Sequence, residues 1–476
     1  MSKLPEHLTK GGPGDKFLGD GKVDTSKWFE DPGVDVGTLE KQIKNQDIFF
    51  CAAPFQLLYT NIQGDYAPCS WAETREFGTS IKDTSIKDWF ESDPKLNQLR
   101  NEMLTPGSDL QLTKKSCKSC IKQEKQYGRS RRQASLKIQS NNDFLWPEMR
   151  KAVEAYKETM QGHIKHRIFE IQIKAFGNQC NLDCYMCHPF DSTTRIKTMD
   201  SNELKDQNIF NTGEKYNMGG WRSDEYKIKM ADMKNKSMED VIEQIKDVAP
   251  YIYNLKLIGG EPLVMKQYYK LLDAIVDSGY SKQMYVKFQT NMSVLGHGKY
   301  KITDYTKHFK IFELTVSLDG IGKTNNYIRR RSNWDEIVKN IKEIKKYPNV
   351  QINVNGAVSF LSVMRFYELI EWFDNYKELF VDKSSKLASK FGQINWSNIR
   401  GPAKLCANVL PEEIKKELIP KYANFPDIQN VLKEDNNGLD YKDTIRYLLN
   451  VDKYYKGTKW EMNLFDVFPE LKKYYE

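Results

Sequence analysis

The chain has 476 residues, 39% of them hydrophobic and 12% aromatic, which is enough apolar material for packed cores in two to four domains. Its 72 basic and 64 acidic residues leave a net charge of +8, modest at this length; it permits nucleic-acid binding without supporting it. No run of about 18 apolar residues occurs, so no membrane-spanning helix is expected, and the opening MSKLPEHLTKGGPGDKF has no hydrophobic signal core, so a cytoplasmic location is expected.

Residues 1–45 are rich in Gly and charge and read as an extended or flexible arm. A compact segment, 46–140, follows. Its alternating apolar stretches break at Gly64-Asp65, which predicts a β-hairpin with Cys51 before it and Cys69 after it. A helical stretch over 85–104 leads to Cys117-x2-Cys120. Two cysteines flanking a hairpin plus a later CxxC make a four-thiolate metal site, for which zinc and iron–sulfur both remain open. The basic run GRSRR at 128–132 reads as a solvated surface turn, and 141–165 as a connecting helix.

From 166 to 405 strands and helices alternate. Six strand candidates, RIFEIQIKAF, YNLKLIG, MYVKFQT, FELTVSLD, VQINVNGAV and GQINWSN, are separated by helical patterns, one of them with Ser237 as a plausible N-cap. Six β/α repeats predict an α/β fold with a parallel sheet wound by right-handed crossovers, a partial (β/α)6 TIM-like barrel. A polar insertion joins Cys187 to Ser237, and 406–476 reads as a helical C-terminal extension. The strands alternate polar and apolar residues, whereas strands buried on both faces usually read as continuous apolar runs. The apolar face must pack on helices, so the polar face is expected to line a wet interior that suits a polar substrate. Lys174, Lys256, Lys287, Asn353 and Asn395 are the candidates to meet it.

The first barrel strand ends in KAFGNQCNLDCYMC, with Cys180, Cys184 and Cys187 spaced Cys-x3-Cys-x2-Cys. Three thiolates can hold three irons of a 4Fe–4S cluster and leave the fourth open to a small molecule. A zinc site with His188 or another fourth ligand is the alternative. The second strand ends in GGEP (Gly259, Gly260, Glu261, Pro262), the third in Asn291, and the fourth carries SLDG with Ser317 and Asp319. Arg329 follows, with Arg330 and Arg331 beside it as substitutes. All of these stand at strand C-terminal ends or just beyond, where parallel α/β folds place their sites.

In this order, the cysteine loop, GGEP, Asn291, SLDG and Arg329 resemble the signature elements of the radical S-adenosylmethionine (radical SAM) enzymes. The hairpin and CxxC at about 48–125 resemble the SPASM/twitch auxiliary-cluster modules of one branch, although here the module precedes the barrel. The resemblance implies two 4Fe–4S clusters, one on Cys180, Cys184 and Cys187 and one on Cys51, Cys69, Cys117 and Cys120. It implies S-adenosylmethionine held by the strand-end residues, with Arg329 on its carboxylate, and an electron donor of flavodoxin or ferredoxin type. The implied chemistry is reductive cleavage of S-adenosylmethionine to a 5′-deoxyadenosyl radical that abstracts hydrogen, with a peptide or protein as the expected substrate. A small molecule, a nucleotide or a nucleic acid is the second alternative, and a non-catalytic metal-cluster binding module the third. Met186 departs from the aromatic residue common before the third cysteine, and Tyr185 stands one place early.

Overall fold

The computed structural model describes residues 37–476 apart from 128–129, 141, 143, 167–169, 208, 211–220, 225, 229, 231–237, 381–392 and 437. The expected arm over 1–36, the N-cap Ser237 and the start of the basic run lie outside the described residues.

The hairpin forms as β1 (Leu57–Thr60) and β2 (Tyr66–Ala67), paired antiparallel. Gly64 turns the chain with φ of +81°, a conformation that favours glycine, and Asn61 Oδ1 accepts from the Gln63 and Asp65 N–H groups to close the turn. The six alternating segments form β3 (Glu170–Ile173), β4 (Asn254–Leu257), β5 (Tyr285–Thr290), β6 (Ile311–Ser317), β7 (Val350–Val358) and β8 (Ile394–Asn398). Each pairs parallel with the next, the topology of a partial barrel.

One connection was not foreseen. β1 pairs parallel with β3, Leu57 opposite Glu170 through Thr60 opposite Ile173, so the hairpin extends the barrel sheet to eight strands in the order β8-β7-β6-β5-β4-β3-β1-β2.

Helices cover the apolar face. In chain order the structure has α1 (Thr38–Lys44), α2 (Arg131–Ser140), α3 (Leu145–Thr159), α4 (Met238–Asp247), α5 (Lys266–Asp277), α6 (Trp334–Ile344), α7 (Phe366–Asn375) and, near the end, α8 (Tyr441–Tyr455). α6 shows the logic: Asn333 caps it by accepting from the Asp335 and Glu336 N–H groups, and Ile337, Ile341 and Ile344 form its buried stripe. Helices α4 to α8 share one core with Ile171, Leu255, Val286, Phe312 and Ile352, all fully buried. α1 corrects the expectation of an arm up to residue 45. Its Leu39 and Ile43 join Phe50, Phe55, Leu136, Met149, Val153 and Tyr156 in a second, smaller core built on α2 and α3. The stretch 85–104 is two helices, because Pro94 cannot continue the first and Asp93 caps the second. No helix among the described residues is long and apolar enough to cross a membrane.

The polar strand faces align in register. Gln172, Lys256, Lys287, Glu313 and Gln351 stand side by side across β3 to β7. A second row runs Gln289, Thr315, Asn353, and a third Ser317, Asn355, Asn395. The sheet thus presents one continuous polar surface opposite its helix-covered apolar one.

Candidate functional site

The loop carrying Cys180, Cys184 and Cys187 leaves the C-terminal end of β3 and is held from several directions. Beneath it lies GGEP. A Cβ on Gly260 would come within 2.3 Å of Gln179 O and 2.5 Å of Asn178 O, and one on Gly259 (φ +152°) within 2.9 Å of Gly177 O. These glycines therefore let two backbones touch, and the Glu261 N–H donates to Gln179 O at 2.8 Å. Glu261 itself is buried and points away from the loop. Its carboxylate accepts from Leu263 N–H (3.0 Å), Thr290 Oγ1 (2.8 Å) and Asn291 N–H (2.6 Å), while burial pushes its pKa up to about 7 against those bonds. Asn291 bonds the loop directly, Nδ2 donating to Asn181 Oδ1 at 3.0 Å.

Two further anchors escaped the sequence analysis. Asp183, between the first two cysteines, is fully buried and pairs with the equally buried Arg195 at 3.0 Å; its other oxygen accepts from Thr198 Oγ1 (2.7 Å) and Tyr455 OH (2.8 Å). Tyr185 donates to Ser359 Oγ at 2.8 Å and accepts from Leu361 N–H, while its carbonyl accepts from Tyr447 OH at 2.8 Å. Tyr185 thus ties the loop to the end of β7. Tyr447 and Tyr455 belong to α8, so the C-terminal extension grips the cysteine loop. The amphipathic pattern of α8 signalled burial but not what it would bury against.

The three thiols sense one another. Burial first, then Cys184 and Glu261, push Cys180 up to about 12; Cys187 is raised by its hydrogen bond with Cys184 and by burial; Cys184 is lowered by that same bond, with help from Arg329. Arg329 and Arg330 pair antiparallel with Cys184 and Asp183 of the loop, and the Arg329 side chain reaches a cysteine. Its Nη1 lies 3.8 Å from Cys184 Sγ, and its Nε forms a buried ion pair with Asp319 Oδ2 at 2.8 Å. Arg329 and Asp319 thus set a paired cation and anion beside the cysteines, charges that can answer the carboxylate and ammonium of a zwitterionic ligand. The Arg330 side chain instead pairs with Asp452 of α8 at 2.5 Å, and Arg331 lies over the Trp460 ring. Ser317 is buried in the interior row at the end of β6. His188 stacks on Phe190 at 4.7 Å, its Nδ1 accepting from the Phe190 N–H.

Cys51, Cys69, Cys117 and Cys120 line a single cavity of about 130 Å³. Its wall is mainly apolar (Ala53, Leu57, Trp71, Ala72) and includes Glu170 and Gln172 of β3. Burial raises all four thiols, and the neighbouring thiols add to this for Cys51, Cys117 and Cys120. A single water needs about 10–15 Å³, so the space suits a group of several atoms. No three metal-ligating side chains among the described residues converge on a single-ion position. Gln56 keeps both side-chain polar atoms buried without a partner, and Gln139 and Gln172 each keep a buried oxygen so. Four thiols around one void, with the unpartnered donor Gln56 Nε2 beside them, fit an iron–sulfur cluster, whose sulfides accept hydrogen bonds. At the described end of the basic run Arg132 departs from the solvated reading: it forms a two-point pair with Glu124 (2.8 and 2.7 Å) and donates to Phe50 O, while the exposed Arg131 stands over the Trp71 ring at the cavity wall.

The interior lysines differ among themselves. Lys174 pairs with Asp191 at 2.6 Å and Lys287 with Glu313 at 3.1 Å. Lys256 has no hydrogen bond or ion pair among the described residues, and burial lowers its pKa. Asn353 donates to Glu313 Oε1 at 3.3 Å and accepts from Gln393 N–H, and Asn395 is half-buried in the third row.

Residues 175–365 match the family model of the radical SAM superfamily. The chain carries a radical SAM domain. The match opens at the loop after β3 and closes just before α7, so it spans the cysteine loop, GGEP, Asn291, SLDG and Arg329. Among solved structures the chain is similar to Streptococcus suis SuiB bound to S-adenosylmethionine, at 16% identity and a TM-score of 0.31, over 61% of this chain and 51% of that one. It is also similar to SuiB bound to precursor peptide SuiA (16%, TM-score 0.29, 79% of this chain and 68% of that one) and to SuiB (16%, 0.30, 80% and 68%). The chain thus spans about half to two thirds of the length of the SuiB chains it matches. No curated protein matches the chain.

Proposed function

We propose that this radical SAM enzyme binds a 4Fe–4S cluster on Cys180, Cys184 and Cys187, cleaves S-adenosylmethionine reductively and abstracts hydrogen from a peptide or protein. The observation that carries this is the anchored three-cysteine loop at the C-terminal end of a polar-faced parallel sheet, with the buried Arg329–Asp319 pair beside it. Cys180, Cys184 and Cys187 would hold the cluster, which would supply the electron for reductive cleavage of S-adenosylmethionine. The chain's own residues do the rest. GGEP and Asp183 fix the loop, Arg329 offers its guanidinium to the cofactor's carboxylate, and Asn291 and Ser317 flank the same strand ends.

We further propose that Cys51, Cys69, Cys117 and Cys120 hold an auxiliary 4Fe–4S cluster in a SPASM/twitch-like module, here placed before the barrel. Together with the polar interior, this module favours a peptide over a small apolar substrate. A donor of flavodoxin or ferredoxin type completes the electron path, and eight free thiols suit the reducing cytoplasm.

Anaerobic reconstitution with iron, sulfide, S-adenosylmethionine and reductant tests this. About eight irons per chain are expected for two such clusters. Joint replacement of Cys180, Cys184 and Cys187 by Ala should remove about half and abolish 5′-deoxyadenosine formation. A protein that takes up zinc and no iron would overturn the proposal. Product searches in peptide and nucleotide pools then separate a peptide substrate from the smaller alternatives.

A further inference from the structure

Two cations near the auxiliary cavity, the half-buried Lys256 and the exposed Arg131, make no ion pair among the described residues. Lys256 stands on the polar face of β4, directly beside Gln172, which lines the cavity. Of the carboxylates close to it, Glu313 pairs with Lys287 and accepts from Asn353, while Glu170 accepts from Gln172 Nε2 at 2.5 Å and attracts Lys256 without forming an ion pair with it. On the other strand flank of Lys256 stands Lys287, a like charge. Arg131, at the start of α2, forms the cavity wall, stacks on Trp71 and makes no hydrogen bond or ion pair among the described residues, yet is near enough to Lys256 to oppose its charge. A half-buried ammonium facing like charges is costly unless something negative joins it. We propose that Arg131 and Lys256 form a carboxylate-binding subsite that holds an acidic group of the substrate between the auxiliary cysteines and the barrel interior.

This rests on the peptide reading above and sharpens it: the peptide carries an Asp or Glu, or a free C-terminus, that docks at the β4 end of this cavity. The Arg131 guanidinium, over the Trp71 ring at 5.6 Å, can take a carboxylate by two parallel N–H bonds, and the Lys256 ammonium adds a point charge from β4. Arg132 cannot share the task, because Glu124 occupies its fork.

The test uses reconstituted full-length protein in equilibrium dialysis against random-sequence hexapeptides, each supplied with a free and an amidated C-terminus, and against glutarate. Retained species are read by mass spectrometry. Peptides with an Asp, a Glu or a free C-terminus should be retained about tenfold over neutral amidated ones, the scale of one charge-assisted hydrogen bond. Comparison of the free and amidated pools tells an acidic side chain from a C-terminus. Lys256→Met should erase the preference and Lys256→Arg keep it. Peptide retention without acidic preference, or an undiminished preference in Lys256→Met, overturns the subsite and leaves the peptide reading standing. Glutarate retained through Lys256 with no peptide retained keeps the subsite and overturns the peptide reading. Retention of neither overturns both. A Lys256→Met protein with an altered auxiliary reduction potential and unchanged retention assigns the cations to the cluster instead, which also overturns the subsite.

Discussion

Around Cys180, Cys184 and Cys187 the loop's polar groups are met by protein: Asn181 by Asn291, Asp183 by Arg195, Thr198 and Tyr455, and Tyr185 by Ser359, Leu361 and Tyr447. Around Cys51, Cys69, Cys117 and Cys120 the opposite holds, and Gln56, Gln139 and Gln172 keep buried atoms with no partner. The first site is preorganised by the chain, with the Arg329–Asp319 ion pair set beside its cysteines. The second is a shell whose polar atoms wait for its occupant. The difference teaches where each site draws its stability: the barrel loop from side chains elsewhere in the fold, the auxiliary shell from what it binds.

The comparison can be broken first at Asp183. Asp183→Ala strands the fully buried Arg195 and should cost about 3–5 kcal/mol in urea unfolding. It should also empty the barrel-loop iron while the auxiliary iron, read by electron paramagnetic resonance, persists. Equal loss at both sites would make them one structural unit. Next comes Gly260→Ala, whose Cβ would meet Gln179 O at 2.3 Å. Such crowding costs about 1–3 kcal/mol. Half the iron should be lost, and Gly260→Val should be worse. Tyr447→Phe removes one hydrogen bond to the Tyr185 carbonyl and should cost about 1 kcal/mol, with the iron content unchanged. The smallest effect sharpens the contrast most. Gln56→Leu removes two unpartnered buried atoms, so it should change the stability of the metal-free protein by less than about 1 kcal/mol or raise it, yet destabilise the loaded protein. Thermal unfolding with and without a chelator reads both. An equal change in the two states would show that Gln56 does not face the bound group.

Much of the barrel was legible because its signals are local. Period-2 strands ending in turn residues, and cysteines at fixed spacing, report their own conformation and chemistry. What was missed depends on distant partners. The four residues of β1 look the same whether their free edge faces water or β3. The glycines of GGEP suggested room for a ligand, whereas their small size is consumed by the backbone of the cysteine loop. Tyr185 stood out as an aromatic one place early, and only its partner Ser359, far along the chain, explains it as an anchor. The basic run read as solvated because nothing adjacent announces Glu124 and Phe50 as the partners of Arg132.

The parallel pairing of β1 with β3 also sets a timetable. Thr60 and its partner Ile173 are separated by more than a hundred positions. A ribosome adding about 5–20 residues each second needs some 5–20 s to cover that distance. For that time the hairpin is finished on one side only, and its four cysteines wait beside an open strand edge. That edge could be taken by another chain, and the thiols by an oxidant. Cells that make this protein well should therefore be those that shield the nascent N-terminal third. Slowing translation between residues 70 and 170 should lower the yield of iron-loaded enzyme more than the same delay placed after β8.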